Sequence, residues 1–313
     1  MMFEALIHIV LPVLLVAVIG YVYTGYKRFD IRQLTDLIIY LTSGCLIFDA
    51  LTRAEPFTID SLKIPLSVSG VVGGGLVTSY LLLILLQRRR PTLSYAAIAL
   101  PVTFINVGNL GLPFAQLAFG DEGLRIATII FIPFQLLQYT VGIGIASGLD
   151  GLRDLFKLPL IYATLLGLFI NLREWRVPDL IAIPIHNIAM VSLTLMLLAL
   201  GMQIRTMIQT LRADGNTIHG MAHPLRDTAW TAGLITVVRF VTGIIVALLM
   251  NRWVSNEPQV ARILLLMSSL PPAVMTFALA EKYQRDPDRV SLAILFGTLL
   301  TVVVTPFVLA TLV

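Results

Sequence analysis

This sequence has little charge and almost no cysteine. Only 13% of its 313 residues are charged and 57% are hydrophobic, against about 25% and roughly 45–50% in soluble domains. So little charge excludes an ordinary soluble protein, and we expect no nucleic-acid partner despite the net charge of +4. The single cysteine, Cys45, lies in an apolar stretch, so no intrachain disulfide or Cys-based metal site can form.

Sequence motifs for catalysis and cofactor binding are missing as well. The four histidines are scattered, and no Ser/His/Asp order, phosphate-binding loop or dinucleotide fingerprint occurs. We therefore expect that the protein is not an enzyme and holds no metal or cofactor. Without a nucleotide-binding motif, any transport would be driven by ion or substrate gradients or by the membrane potential.

The chain does contain a series of long apolar runs. A hydrocarbon core of roughly 30 Å requires about 20 apolar residues per helix, and a helix satisfies its own backbone in lipid. The predicted fold is an all-α integral membrane protein with ten transmembrane helices. The predicted spans are 5–26, 34–52, 64–86, 93–119, 124–146, 158–172, 185–203, 228–250, 260–280 and 290–313.

Lysine and arginine are unevenly distributed over the loops between these spans. The odd-numbered loops contain 14 of them, and the even-numbered loops together with the first residues of the spans that follow contain 7. Because Lys and Arg accumulate in cytoplasmic loops, we expect the odd loops in the cytoplasm and both termini outside it. The predicted location is the cytoplasmic (inner) membrane, with membrane lipids around the helices.

An internal repeat relates the two halves of the chain. A Leu-Pro pair followed at the same distance by Gly occurs twice, at Leu11-Pro12 with Gly20 and at Leu158-Pro159 with Gly167. The copies are 147 residues apart, a distance that contains five spans. Because five is odd, the second copy enters the membrane from the opposite side. We therefore predict two inverted five-helix repeats, 1–147 and 148–313, within a single membrane domain.

The fourth and ninth predicted spans are interrupted. Asn106, Gly108 and Asn109 precede Pro113 in the fourth, and Pro271 is followed by a second proline in the ninth. Proline removes a backbone donor and glycine relaxes the backbone, so neither span can be a regular helix throughout. Broken helices at corresponding positions of two repeats are typical of a transporter's binding site.

Crossed broken helices would suit an anion. Their half-helix N-termini bring partial positive charge and unpaired N–H groups to mid-membrane, so we predict a small carboxylate as substrate. The alternatives are that the prolines and glycines kink packed helices, and that the amide side chains only join helices by hydrogen bonds. The predicted substrate-binding residues are Asn106, Gly108, Asn109, Pro113, Gln138, Pro271, Pro272 and Ala273.

Two of the charged residues within the predicted spans could have a role in charge or ion coupling. Arg239 is midway through the eighth, where it could bind an anion, or the span could begin later so that Arg239 snorkels to the cytoplasmic interface. Asp49, near the outer end of the second span, could carry a proton or hold a helix. The coupling ion could accordingly be H⁺ or Na⁺.

Several short motifs together resemble one family. They are Gly108-Asn-Leu-Gly-Leu-Pro113, Phe119-Gly-Asp-Glu-Gly123, Leu158-Pro159 with Leu166-Gly167, Leu200-Gly201-Met202, Leu270-Pro271-Pro272-Ala273, and Ala280-Glu-Lys-Tyr283 with Asp286. Over nearly its full length, the chain resembles the auxin efflux carrier family of membrane transport proteins, within the bile acid/sodium symporter-like group.

This resemblance implies a scaffold and a transport half in each repeat, crossing fourth and ninth helices beside the substrate, elevator-like movement and a homodimer. Asn106, Asn109, Pro113, Pro271 and Pro272 match the family's crossover positions. The chain lacks the long central hydrophilic loop of the plant members and is similar to the compact prokaryotic form, whose relatives are associated with small organic anions. The sodium ligands of the bile acid relatives are not clearly matched.

The main functional hypothesis is a secondary active carrier of a small organic anion that works by elevator-type alternating access. One alternative is a membrane-embedded ligand sensor that uses the same crossover pocket, although we expect no fused soluble signalling domain. A sodium-coupled organic anion symporter of the bile acid type is another. A channel is the third, but crossed broken helices favour a carrier.

Overall fold

All regular structure in the protein is helical where it is described. The computed structural model describes residues 2–26, 30–88, 93–148, 158–215 and 225–312, and each regular element within these ranges is a helix. The all-α prediction is therefore confirmed. The predicted boundary between the repeats lies beside residues 149–157, which are outside the described residues.

One helical run is divided in two by a glycine. Within Val107–Ser147, Gly120 has φ 69° and ψ −158°, a conformation that glycine adopts without a Cβ clash, so we number the two parts separately. The helices are α1 (Met2–Tyr26), α2 (Ile31–Arg53), α3 (Lys63–Gln87), α4 (Tyr95–Thr103), α5 (107–119), α6 (121–147), α7 (Pro159–Leu172), α8 (Asp179–Gly215), α9 (Leu225–Val254), α10 (Pro258–Ser268), α11 (Met275–Lys282) and α12 (Pro287–Leu312).

Many of these helices are long and apolar enough to cross a membrane. In the described ranges seven helical runs meet that requirement, and α7 and α10 are apolar but shorter. Large apolar side chains such as Leu15 and Leu85 are exposed on the surface, where lipid tails would cover them. The chain is an integral membrane protein. The seven runs are Met2–Tyr26, Ile31–Arg53, Ile59–Gln87, Val107–Ser147, Asp179–Leu211, Arg226–Val254 and Pro287–Leu312.

Helices α1, α2, α7 and α8 pack into what we call the first helix group. A Cβ at Gly20 on α1 would overlap the backbone of Leu198 on α8, and a Cβ at Gly201 would overlap the backbone of Ala17. Thr42 on α2 donates its hydroxyl to that of Ser192 on α8 over 2.9 Å. Small residues thus let the backbones approach closely, as is common in membrane helix packing.

The second helix group contains α3 to α6 and α9 to α12. Gly74 on α3 faces Val246 on α9, where an added Cβ would lie 2.6 Å from a valine methyl group. Gly75, also on α3, lies against the end of α4, since its Cβ would be 2.9 Å from the Cα of Thr103. The two interrupted segments belong to this group.

The interruption in the fourth predicted span lies earlier than the sequence suggested. The chain leaves the helical conformation at Phe104 and re-enters it at Val107, whereas Pro113 lies in the helical run that follows. Just before this proline, Leu112 donates its N–H to Val107, five residues back, in a widened turn that continues the helix. The helical run begins at Val107 and continues through Pro113, so Pro113 does not cause the break at Phe104 to Asn106.

Candidate functional site

The two interrupted segments are hydrogen-bonded to each other. Asn106 donates its backbone N–H to the carbonyl oxygen of Pro271 over 2.9 Å, and Ala273 donates its own to Phe104 over 2.9 Å. The segments therefore run antiparallel through an isolated bridge between Ile105 and Pro272. Pairing satisfies backbone groups that the broken helices would otherwise leave unbonded in the low-dielectric interior.

We call the place where the two interrupted segments pair the crossing. A cavity of about 530 Å³ lies beside it. One wall comes from α5, α6 and α11 of the second helix group, and the opposite wall comes from α2 and α8 of the first. The structure therefore places the cavity between the two groups, next to the broken helices. The predicted site residues that line it are Asn106, Gly108, Asn109, Gln138 and Ala273.

Two helix N-termini face this cavity. α5 has Gly108 and Asn109 in its first turn, and α11 begins at Met275, directly after its cap residue Val274. Among the described residues, the backbone N–H groups of these four have no hydrogen-bond acceptor. Because unpaired donors and the helix dipole both attract negative charge, the two N-termini form a site suited to an anion.

Side-chain amides add to the unpaired groups of the cavity. Asn106 is 4% exposed, and its Nδ2 has no partner in the described part of the chain. Gln203 on α8, across the cavity, has a buried Oε1 that is also unpaired there. Buried polar atoms without partners are costly. Their presence around one cavity is consistent with a polar ligand that would complete their hydrogen bonds.

The three predicted prolines do not line the cavity. Pro271 and Pro272 lie behind it at the crossing, where they interrupt the helix and supply the carbonyl that Asn106 bonds. Pro113 is buried within the helical run after the break. These prolines shape the site through the backbone rather than by contact with a ligand in the cavity.

The cavity changes in character from its mouth to its floor. Arg32, Asp36 and Glu281 are exposed residues at the mouth, while Asn106 and Gln138 are buried at the floor. A solute would therefore pass mixed charges before it meets amides and backbone donors. The floor carries no charged side chain among the lining residues.

The wall from α2 and α8 was missed in the sequence. Thr35, Asp36 and Ser43 on α2 and Gln203 and Thr206 on α8 line the cavity, but none was predicted. These helices are continuous at those positions. Thr35 and Asp36 lie near the start of α2, and Gln203 and Thr206 lie in the C-terminal part of α8. Such residues are also common at membrane interfaces, so only their position opposite the crossing marks them.

Arg239 is fully buried within α9 rather than placed at an interface. Its guanidinium donates to the carbonyl oxygen of Val102 over 2.7 Å and to that of Ser268 over 2.8 Å. It does not line the cavity. The structure thus places Arg239 behind the crossing, in contact with the ends of α4 and α10, and the snorkelling interpretation is wrong.

Asp49 lies away from the crossing, at a second cavity of about 360 Å³. Its carboxylate pairs with Arg53 on the same helix at 2.8 Å and with His186 on α8 at 2.9 Å. On another side of this cavity, Arg125 donates to the carbonyl oxygen of Arg53 over 3.0 Å and so joins α6 to α2. Asp49 therefore holds α2 and α8 together through His186.

Sequence comparison assigns the chain to a family. The sequence model of the membrane transport protein family matches residues 5–148 and 147–309. The chain belongs to the membrane transport protein family. The resemblance to auxin efflux carriers is thereby confirmed, and the family consists of transporters. An uncharacterized transporter of Methanocaldococcus jannaschii is 22% identical to this family member over 95% of either chain. An uncharacterized transporter of Methanothermobacter thermautotrophicus is 28% identical over 98% of either chain.

Proposed function

We propose that this family member is a secondary active transporter of a small organic anion, of the carboxylate class. The observation that carries the proposal is the meeting of two helix N-termini at one cavity, with the N–H groups of Gly108, Asn109, Val274 and Met275 unpaired among the described residues. A carboxylate has two oxygens that accept such donors. At about 530 Å³, the cavity is within the range of small-molecule sites.

The proposed architecture is ten transmembrane spans in two inverted repeats, with α4 and α5 as the fourth span and α10 and α11 as the ninth. The packing supports it, because equivalent contacts recur in both halves. Gly20 on α1 packs against α8, and Gly167 on α7 packs against Leu51 on α2. In the same way, Gly75 on α3 meets the end of α4, and Gly243 on α9 meets the end of α10.

The proposed mechanism is elevator-type alternating access. In this mechanism the second helix group carries the crossing and its bound anion past the first group. The position of the cavity between the two groups supports it, since relative movement there would open the site to one side and close it to the other. Arg32 and Glu281 at the mouth adjoin the first and ninth loops, so by the Lys and Arg distribution the cavity opens toward the cytoplasm.

Uptake into proteoliposomes tests this proposal. The purified protein is reconstituted, and a panel of labelled mono- and dicarboxylates is offered under imposed proton, sodium and potential gradients. We expect saturable uptake of at least one carboxylate, and a loss of about tenfold or more in Asn106→Ala and Asn109→Ala, because each removes an amide from the site. Asn187→Ala is the matched control, since Asn187 is exposed on α8 and lies outside the cavity.

Two results would contradict the proposal. One is the absence of carboxylate uptake under every gradient from protein that remains folded. The other is saturable uptake that Asn106→Ala and Asn109→Ala leave unchanged, which would place the site elsewhere. Currents that fail to saturate with concentration would indicate a channel instead.

A further inference from the structure

The buried guanidinium of Arg239 lies where two helix C-termini converge. α4 ends at Thr103 and α10 ends at Ser268, and Arg239 bonds a carbonyl oxygen in the last turn of each, on Val102 and Ser268. A helix C-terminus carries partial negative charge and unpaired carbonyl groups. The crossing thus has two unlike sides, with N-termini toward the cavity and C-termini toward Arg239.

The backbone explains why these two carbonyls need a donor. In a continuous helix, the carbonyl of Val102 would accept from the N–H of Asn106, but that N–H donates to Pro271. The carbonyl of Ser268 would accept from residue 272, which is a proline and has no N–H. The break therefore frees both acceptors, and Arg239 supplies both donors.

Other oxygen atoms at the same helix ends are also unpaired. The hydroxyls of Thr103 and Ser268 are fully buried, and neither has a hydrogen-bond partner within the described ranges. Carbonyl and hydroxyl oxygens together are the ligands that small hard cations such as Na⁺ prefer. Without Arg239, this place in the fold would be suited to a metal cation.

The surroundings of Arg239 show that it acts without a counter-charge from a side chain. No carboxylate of the described residues forms an ion pair with it. Gly243, one turn further along α9, makes room for it, because a Cβ there would overlap both the guanidinium and the carbonyl of Ser268. The partial charges of the two helix ends therefore serve as its anionic partner.

We propose that Arg239 is a tethered cation that takes the place of a coupling cation at the crossing, so that anion transport does not require sodium. The proposal rests on the proposed function and extends it to the question of the coupling ion. Arg239 is a positioning residue: it holds α4 and α10 together behind the site without touching the transported solute. Proton or potential gradients, rather than a sodium gradient, would then drive the carrier.

The first test needs no substrate. Thermal unfolding of the purified protein in detergent is followed with sodium, with millimolar guanidinium, or with N-methylglucamine as the added cation. We expect Arg239→Ala to have a lowered Tm that guanidinium or sodium restores at least in part, because the small cation can enter the vacated space. The Tm of the unaltered protein should not depend on the added cation. The same is expected of Arg252→Ala, which removes an exposed arginine on the same helix.

The second test measures flux in proteoliposomes. Replacement of sodium by N-methylglucamine should change carboxylate uptake by the unaltered protein less than about twofold, whereas Arg239→Ala should lose about tenfold or more. Guanidinium or sodium should restore part of that loss. Arg239→Lys, which keeps a tethered charge but has fewer donors, should retain reduced and still sodium-independent uptake.

Several outcomes would overturn the inference. They are sodium-dependent uptake by the unaltered protein, an Arg239→Ala variant with normal Tm and uptake, and a lowered Tm that neither cation restores. A carrier that transports no carboxylate would contradict the proposed function but not this inference, because the unfolding measurements would still report cation binding behind the crossing.

Discussion

The backbone N–H of Asn106 lies 2.9 Å from the carbonyl oxygen of Pro271, and this hydrogen bond joins the two interrupted segments of the molecule. Its donor comes from the residue before α5 and its acceptor from the residue before Pro272. A continuous helix would use this N–H to bond the carbonyl oxygen of Val102. Because the N–H bonds Pro271 instead, the carbonyl of Val102 is free to accept from Arg239. The cavity side and the arginine side of the crossing thus depend on the same bond.

Pro272→Ala should lower transport while leaving the protein folded. Alanine restores an N–H that can bond the carbonyl of Ser268 and extend α10, in competition with Arg239. We expect uptake to fall by about tenfold, with a Tm equal to or above that of the unaltered protein. Pro258→Ala is the control, because Pro258 is in the first turn of the same helix, where the missing N–H has no role.

Gly297→Ala should destabilise the protein. Its Cβ would lie 2.6 Å from the Cδ of Pro272 and 2.9 Å from the Cβ of Pro271, so α12 would be pushed from the crossing. We expect a loss of about 1–3 kcal/mol in the free energy of unfolding, measured by titration with a denaturing detergent. Gly233→Ala on α9 meets no atom within 4 Å in the described structure and should be neutral or stabilising.

Asn171→Ala should reduce stability without changing the site. Its Nδ2 donates to the carbonyls of Leu51 and Ala54 at 3.0 Å, and its Oδ1 accepts from the N–H of Phe57 at 2.9 Å. Because these bonds tie α7 to the last turn of α2 and to the segment after it, their loss should cost about 2–3 kcal/mol. Carboxylate uptake per folded molecule should stay near normal, and a parallel loss of uptake would show that Asn171 also serves the site.

Cysteine labelling tests the orientation and the direction in which the cavity opens. A Cys45→Ser background has no other cysteine, so a single one can be introduced at Ala278, which lines the cavity, or at Glu55 after α2. In intact cells, we expect an impermeant maleimide to label Glu55→Cys from outside and Ala278→Cys only in inside-out vesicles. The reverse pattern would contradict the positive-inside assignment, and a transported carboxylate should slow labelling at Ala278→Cys.

Only part of the crossing was visible in the sequence. Adjacent prolines at 271 and 272 break a helix in any surroundings, because proline lacks an N–H, so the second interruption lies where it was predicted to be. The first interruption lies at Phe104 to Asn106, and Pro113 is helical instead. The helix continues through Pro113 after a widened turn in which Leu112 bonds Val107, and the sequence alone did not show that this turn forms.

For Arg239, too, the sequence indicated only part of what the structure shows. Its position within an apolar run indicated that protein or water must surround it. Its partners are carbonyl groups of α4 and α10, far away in the sequence, and any residue type can supply a carbonyl. No side-chain pattern could therefore identify them.

By itself the sequence determined that this is a helical membrane protein of one transporter family, with polar interrupted segments in two of its apolar runs. Hydropathy and proline act locally, so these features can be derived from neighbouring residues. The tertiary structure alone decided that α2 and α8 supply the far wall of the cavity, that Asp49 holds His186 instead of joining the site, and that Arg239 bonds two helix ends. Each of these depends on contacts between distant segments, which are determined by how the helices pack together.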